Sequence, residues 1–404
     1  MVEYRRQSIV VKKNNPLYKE IDQVCLLSKN LFNSTLYAER QSLFKDGVFK
    51  FYNKIFVVNN QVDYRALPAK VSKHTQMRVD EAIKGFIKSK KSNINLKTKL
   101  PNYLDKNGRF VTEYERGALS FKREGFIKLS KSNIIFPTNL KKDVVKAVRL
   151  IPKTGYYLIE ILYNPKIKPI KSQFNNKYAS IDLGLNNLVT ITSNSFEPFI
   201  INGRPLKSIN QYSNKMIAKY QSLLQDKKYS SNKIKFFRYK REMKVNDYLS
   251  KSAKYLVNYL VSQSIDVLVI GTNAGWKQNI NIGKRNNQNF SGIPFYKFKN
   301  KLAYLCKESG IEVVEQEESY TSKSSFLDND PIPIYPNTAN ISFSGKRVCR
   351  GLYKGKNKTI NADVNGSLNI LKKYLISKEA WNENIFSDLV EACSTPRKVT
   401  VGFD

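Results

Sequence analysis

The sequence predicts an α+β multidomain chain whose last and largest part is an α/β domain. Three observations predict it. Residues 16–94 carry helical apolar stripes, and residues 95–172 carry short β-type runs broken by Gly, Asn and Pro. From residue 178 onward, strand-like runs alternate with long helices, the pattern of a layered α/β domain.

Residues 5–13 read as a short strand. Pro16 then opens a helix, where proline fits the first turn because the missing N–H has no intrahelical partner there anyway. The apolar stripe of this helix runs through Leu17, Ile21, Val24, Leu27 and Leu31. Residues 68–91 read as a second helix, with Val71, Val79, Ile83, Phe86 and Ile87 inward and Lys84, Lys88, Lys90 and Lys91 outward. The runs Asp143–Pro152 and Tyr156–Tyr163 read as strands of a small barrel or sheet over 95–172, with residues 1–15 supplying another strand. Pro165, Pro169 and several lysines make a linker, and a domain at 173–404 follows.

That domain opens with Tyr178-Ala-Ser-Ile-Asp-Leu-Gly-Leu-Asn-Asn-Leu-Val-Thr-Ile-Thr192, read as a strand, a tight turn and a return strand. Asp182 sits at the end of the first apolar run, an unusual place for a solvated acid. Residues 207–262 are amphipathic and very basic; Lys235, Arg238, Arg241 and Lys244 interleave with Phe236, Phe237 and Tyr239. The interleaving suits contact with a nucleic-acid backbone plus base stacking, and it equally suits an aromatic core. Ile265-Asp-Val-Leu-Val-Ile270 has the composition of a fully buried strand. Lys297–Ser309 reads as a helix and Ile311–Glu318 as another strand, close enough in sequence for the two strands to lie parallel and side by side.

The chain has 404 residues, with 69 Lys+Arg against 33 Asp+Glu, a net charge of +36. Such an excess repels itself in a compact chain, so a polyanionic partner is its natural explanation. Nucleic acid is favoured over a membrane, because no run of about 18 apolar residues is present. Met1-Val-Glu-Tyr-Arg-Arg also lacks the apolar core of a signal peptide. Cys25, Cys306, Cys349 and Cys393 are scattered; none form a Cys-x-x-Cys pair, which argues against a zinc knuckle or disulfide framework and for a reducing compartment. His74 is the single histidine, in a Lys-rich helical stretch. Nuclease chemistries built on paired histidines are thereby excluded, and acid–base and metal work falls to carboxylates.

A second acid fits Asp182. In Thr359-Ile-Asn-Ala-Asp-Val-Asn-Gly-Ser-Leu-Asn-Ile370, Asp363 precedes an apolar helical run. An Asp in that place also suits simple capping of the helix. In a polybasic chain the pair gains a metal reading. Two-metal phosphodiester hydrolysis uses carboxylates converging on ions about 3.5–4 Å apart, and hard cations prefer oxygen ligands.

Three ordered motifs, Ser180-Ile-Asp-Leu-Gly-Leu-Asn-Asn187, Ser319-Tyr-Thr-Ser-Lys323 and Asn361-Ala-Asp-Val-Asn-Gly366, resemble those of TnpB. These are RNA-guided endonucleases of insertion sequences, related to type V CRISPR effectors and Fanzor proteins. Val269-Ile-Gly-Thr-Asn-Ala-Gly-Trp-Lys-Gln278, followed by Asn287-Gln-Asn-Phe290 and Ile293-Pro-Phe295, is similar to one TnpB branch. The resemblance is close over about 176–370. It is looser before that, resting on layout and on the helix start Leu67-Pro-Ala-Lys-Val71. It implies an RNase H-like (RuvC) nuclease domain at 173–404, within which the residues themselves mark a basic helical insertion at 207–262 and a basic loop at 324–362. It further implies a β-barrel wedge domain split over 1–15 and 95–172, with a helical recognition module at 16–94. The implied partners are a guide RNA and double-stranded target DNA with a short flanking motif, with no membrane. The implied location is the prokaryotic cytoplasm, at the nucleoid.

The family's catalytic set is Asp, Glu, Asp, and Asp182 and Asp363 match its first and third positions. The usual Glu slot holds Gly271. Either the site lacks that carboxylate or another Glu fills the gap. Glu318, directly before Ser-Tyr-Thr-Ser-Lys, resembles the relocated Glu of Fanzor proteins and some TnpB branches. Glu317 is the neighbouring alternative, pointing to the opposite face, and Glu315, Glu317 and Glu318 also suit plain charge balance. Asp182, Glu318 and Asp363 are therefore expected to hold two Mg²⁺ ions. The four-cysteine zinc ribbon of many relatives is not expected: 324–362 holds Ser324, Ser325 and only Cys349. Lys346, Arg347, Arg350, Lys354, Lys356 and Lys358 stand there instead, suited to a nucleic-acid backbone or to a solvated insertion. Trp276 and Lys277, beside the Gly271 slot, suit contact with a substrate strand; Trp276 suits packing equally well.

The resulting expectation is an RNA-guided DNA endonuclease that cuts by two-metal phosphodiester hydrolysis. A nuclease-inactive, RNA-guided repressor and a guide-independent RNase H-like transposase or resolvase are the competing expectations.

Overall fold

The structure is a computed structural model that describes residues 4–92, 98–165, 169, 175–225, 229–273, 287–288, 292–334, 342–349, 351–382 and 391–402. The chain divides into two compact units, Met1–Pro165 and Lys166–Asp404.

In the first unit, β1 (Arg5–Lys12) leads into α1 (Tyr18–Asp46). The long helix ends at Gly47, whose φ of 68° takes the left-handed turn while its N–H bonds the carbonyl of Leu43. A short α2 (Val62–Ala66) precedes α3 (Ala69–Lys91). The strands β2 (Thr112–Glu115), β3 (Leu119–Ser120), β4 (Phe126–Leu129), β5 (Ile135–Pro137), β6 (Val145–Lys153) and β7 (Tyr156–Tyr163) follow. β1, β7, β6 and β2 form an antiparallel sheet in that order, so the N-terminal strand completes it. β3, β4 and β5 form a separate three-stranded sheet.

The strands of 1–15 and 95–172 form two sheets among the described residues. Helices and strands share one core. Ile21, Val24 and Leu31 of α1 and Val71 of α3 lie in the same apolar cluster as Leu150 of β6 and Ile159 of β7. Val79 and Ile83 of α3 pack with Phe32 and Leu36 of α1 in a second cluster, and Lys84 and Lys88 on the far side of α3 stay exposed. His74 is bonded to Glu115 at 2.7 Å, a packing role within this unit.

The second unit is built on a six-stranded sheet. β8 (Tyr178–Asp182), β9 (Asn187–Ser193) and β10 (Phe199–Asn202) form an antiparallel meander. α4 (Arg204–Gln221) and α5 (Asn232–Ser262) then lead to β11 (Val267–Thr272), which pairs parallel with β8. α6 (Phe295–Glu308) returns the chain to β12 (Glu312–Glu317), parallel to β11. A small antiparallel sheet follows: β13 (Lys346–Cys349), β14 (Leu352–Lys354) and β15 (Thr359–Asn361). α7 (Ala362–Ser377) runs directly from it. Near the end, β16 (Arg397–Val399) pairs parallel with β10, giving the order β12-β11-β8-β9-β10-β16.

The sheet is covered on both faces, which explains its apolar strands. Ile181, Leu268 and Ile270 point to one face and share a cluster with Leu256 and Leu260 of α5 and Phe298 and Leu302 of α6. Val267 and Val269 point to the other, against Val364, Leu368 and Leu371 of α7. Ser180, Thr192 and Ser367 are buried between sheet and α7 and satisfy one another, with hydroxyl contacts of 2.8–3.2 Å. The span at 207–262 is two helices, α4 and α5, and the loop at 324–362 contains a hydrogen-bonded sheet with Tyr353 buried beneath it. Among the described residues, no helix is long and apolar enough to cross a membrane.

Candidate active site

Successive side chains of a strand alternate between faces, and this places the acids. Asp182 closes β8 with the parity of Ser180, whose hydroxyl donates to the carbonyl of Ser367 on α7 at 2.7 Å. Gly271 shares the parity of Val267 and Val269, which pack under α7. Glu318 lies one residue beyond β12 with the parity of Val314, packed against that same cluster. Its N–H bonds the carbonyl of Thr272 at 3.2 Å, continuing the ladder to β11. Three parallel strands therefore end side by side, with Asp182, Gly271 and Glu318 on the face that α7 covers. The carboxyl ends of such strands are where open α/β sheets bind ligands.

Gly271 and Glu318 are spatially complementary. A Cβ at Gly271 would stand 2.5 Å from Glu318 Oε2 and 2.5 Å from Ile370 Cδ1. Glu318 has taken the space that a side chain at position 271 would occupy. Asn273 Nδ2 donates to the other oxygen, Oε1, at 3.0 Å and fixes the carboxylate. Glu317 is turned elsewhere: it accepts from Lys373 Nζ and from the N–H of Ser319.

α7 brings the third acid. The side chain of Asn361 caps this helix, accepting from the N–H groups of Asp363 at 3.0 Å and Val364 at 3.3 Å. Capping is thus done by Asn361, which leaves the Asp363 carboxylate to other partners. Asn187 Nδ2 donates to Asp363 Oδ2 at 2.7 Å, and Arg347 donates to Oδ1 at 3.2 Å. Gly366, one turn on, lets the helix approach β8 closely: a Cβ there would be 3.2 Å from Asp182 Oδ2.

Asp182 feels the other two acids. Asp182 is pushed up to about 8, by burial first, then by the charges of Glu318 and Asp363, with Arg347 opposing. Glu318 is pushed up to about 7, by burial and then by Glu317. Crowded carboxylates with raised affinity for protons are the arrangement a cation relieves. Among the described residues, no three Asp, Glu, His or Cys side chains stand at the spacing of a formed metal site. The acids are electrostatic neighbours, and Arg347 serves as the positive partner of Asp363. The donor set, carboxylates without Cys or His, has the chemistry of a hard divalent cation such as Mg²⁺.

The basic residues singled out by sequence fall in different places. Lys346 is exposed on β13, beside Arg347. Lys235 and Arg238 are exposed on α5. Arg241 is half-buried and donates to Asn210 and to the carbonyl of Gly292, both at 2.6 Å, tying α4 to α5. Lys277, Arg350 and Trp276 lie outside the described residues. Sequence reasoning did not single out Asn187, Asn361 or Gly366 individually, although all three stand in the quoted motifs. It also passed over Arg204 and Lys398, which line a pocket with Arg347 and Asp363.

Comparison with known proteins divides along the same chain. Residues 162–277 match the family model OrfB_IS605, described as a probable transposase. Residues 295–370 match the model described as Cas12f1-like, TNB domain. No curated protein matches the chain. Among solved structures, the chain is similar to Cas12f1 in a complex with guide RNA and target DNA, at 13% identity and a TM-score of 0.49, covering 88% of this chain and 82% of that one. A second Cas12f ternary complex aligns at 15% identity and a TM-score of 0.36, covering 87% and 80%. CasPhi-2 (Cas12j) bound to crRNA aligns at 9% identity and a TM-score of 0.32, covering 91% and 97%.

Proposed function

We propose that this protein is an RNA-guided DNA endonuclease of TnpB type, with Asp182, Glu318 and Asp363 as its catalytic carboxylates. The observation that carries the reading is the Glu318 carboxylate lying over Gly271, on the same sheet face as Asp182 and under the helix that bears Asp363. A repressor that had lost its catalytic Glu would have no reason to keep a second carboxylate in the vacated space. The strand order β10-β9-β8-β11-β12, a meander extended by two parallel strands, supports an RNase H-like domain at 173–404. The matches to the transposase and Cas12f1-like models support the same class. In this reading the sheet of 1–15 and 95–172 is the wedge, and the helices of 16–94 are the recognition module.

Two Mg²⁺ ions at these carboxylates would supply a metal-activated water and stabilise the leaving oxygen. The chain's own residues do the rest. Asn273 orients Glu318, and Asn187 and the Asn361 cap orient Asp363. Gly366 keeps Asp182 close to the helix. Base pairing of a guide would select the target, while the protein reads a short flanking duplex. Lys235, Arg238, Lys346 and Arg347, with Lys277 and Arg350, are assigned to the nucleic-acid backbone, and the net charge of +36 suits two polyanions.

The test is to sequence the RNA that copurifies with the protein and to assay cutting of DNA matching it, with and without RNase. Discrete RNA and RNase-sensitive, Mg²⁺-dependent cutting are expected. Cutting that survives RNase would assign a guide-independent transposase or resolvase, and guided binding without cutting would assign a repressor.

A further inference from the structure

Beside Asp363 lies a pocket of about 260 Å³ that the carboxylate chemistry does not use. Three cations from three different elements line it: Arg204 at the start of α4, Arg347 on β13 and Lys398 on β16. Among the described residues, Asp363 is the one acid in its lining. One side chain joins the pocket to the active site, because Lys398 Nζ donates to Asn187 Oδ1 at 3.0 Å while Asn187 Nδ2 donates to Asp363 Oδ2 at 2.7 Å.

The pocket is also built from close backbone contact. A Cβ at Gly203 would stand 2.6 Å from the carbonyl oxygen of Leu185, and the N–H of Gly203 bonds the carbonyl of Asn186 at 2.8 Å. Glycine there lets the first turn of α4 seat on the turn that follows Asp182. The positive end of this 18-residue helix is thereby held beside the catalytic turn. Lys398 is lowered, by burial first and then by the charge of Arg204, with Asp363 opposing. Cations placed to repel one another fit an anion between them. A guanidinium presents five donors, enough for Arg347 to hold Asp363 and an anion together.

We propose that Arg204, Arg347 and Lys398 hold a backbone phosphate of a nucleic-acid strand, fixing that strand beside Asp363. The proposal deepens the nuclease reading and rests on it for the identity of the ligand. Arg347 reaches Asp363 Oδ1 directly and Lys398 reaches Oδ2 through Asn187, so a phosphate held between these cations lies next to that carboxylate.

The test uses the full chain as purified, with the RNA it carries, and a labelled single-stranded DNA oligonucleotide in EDTA. Strand affinity is measured over a salt series for wild type, for the double variant Arg204→Ala, Lys398→Ala, and for the conservative Arg204→Lys, Lys398→Arg. The alanine pair is expected to bind roughly tenfold more weakly, with the slope of log K against log salt smaller by about 0.7 for one lost phosphate. The conservative pair should stay within about threefold of wild type, which controls for folding. Unchanged affinity and slope in the alanine pair would overturn the proposal. So would thermal stabilisation by inorganic phosphate that the alanine pair loses while strand affinity stays, since that assigns a free-anion site only. Cutting is scored separately: a wild type that never cuts, with strand binding still lost in the alanine pair, removes the nuclease reading and leaves the pocket standing.

Discussion

The carboxylate of Glu318 fills the space above Gly271: a Cβ on that glycine would stand 2.5 Å from Glu318 Oε2. Gly271 lies on β11, where it pairs with Gln316 of the parallel strand β12, and Glu318 directly follows β12. A side chain at 271 and the Glu318 carboxylate would claim the same space. The glycine leaves room for the Glu318 carboxylate.

Gly271→Ala should therefore be harmful although it adds one methyl group. The methyl meets both Glu318 and Ile370, and overpacking of this kind destabilises by about 1–3 kcal/mol. A lower melting temperature and at least roughly tenfold slower cutting are expected, because Glu318 must move. The exchange variant Gly271→Glu, Glu318→Ala removes the clash with Glu318 and should recover part of the cutting lost in Glu318→Ala alone. An exchange variant as inactive as Glu318→Ala would show that the two strand ends are not equivalent.

Asp182 and Glu318 should give the metal-free protein an inverted dependence on pH. Both are raised in the folded chain, to about 8 and about 7, above unfolded values of about 4. Between those limits the folded state binds more protons than the unfolded one, so stability falls as pH rises. The fall should end above about pH 8, once both groups are ionised in both states. Mg²⁺ binds the ionised forms and releases protons, so its stabilising effect should grow across the same window. Thermal melts in EDTA and in Mg²⁺, from about pH 5 to 9, measure both effects. Asp182→Asn should flatten the metal-free curve; a curve that rises with pH in the wild type would contradict the assignment.

Asn361→Ala removes the cap of α7 and should cost about 1 kcal/mol of stability. The same change frees the first turn that positions Asp363, so a weaker apparent affinity for Mg²⁺ is expected as well. Asn361→Ser, which keeps an acceptor, should restore both. Loss of stability with unchanged metal affinity would confine Asn361 to the helix.

Arg347→Ala should separate metal from strand. Arg347 pairs with Asp363 at 3.2 Å and is the charge that opposes the rise of Asp182. Its removal takes away a cation competing for Asp363, so half-saturation with Mg²⁺ should shift to lower concentration. Strand affinity should fall at the same time. Equal losses of both would show Arg347 to be a structural support.

Much of the second unit was legible because its signals are local. The apolar run before Asp182, the Gly turn after it and the helical stripe beyond Asp363 each lie within a dozen residues. Gly271 was legible only as a gap in the resemblance, and Glu318 from its place directly before Ser-Tyr-Thr-Ser-Lys on a strand close enough in sequence to lie beside that gap. Lys398 was not legible. It reaches the site because β16 pairs with β10, an association of segments nearly 200 residues apart, and one lysine does not stand out among so many. Arg204 was hidden in the same way. The strands at 95–172 were legible but their division into two sheets was not, because alternation along a strand reports which face is buried and says nothing of which strands pair.

The most direct test compares cutting of guide-matched DNA by wild type, Glu318→Gln and Glu317→Gln in Mg²⁺. A metal-holding carboxylate should matter more than the supporting groups around it, whose loss costs about 10–100-fold. Glu318→Gln is therefore expected to cut at least about 100-fold more slowly. Glu317→Gln removes the ion pair with Lys373 and a charge that raises Glu318 but leaves the Glu318 carboxylate in place, so it should cut within about tenfold of wild type, the lower edge of the range for supporting groups. Undiminished cutting by Glu318→Gln would contradict the account.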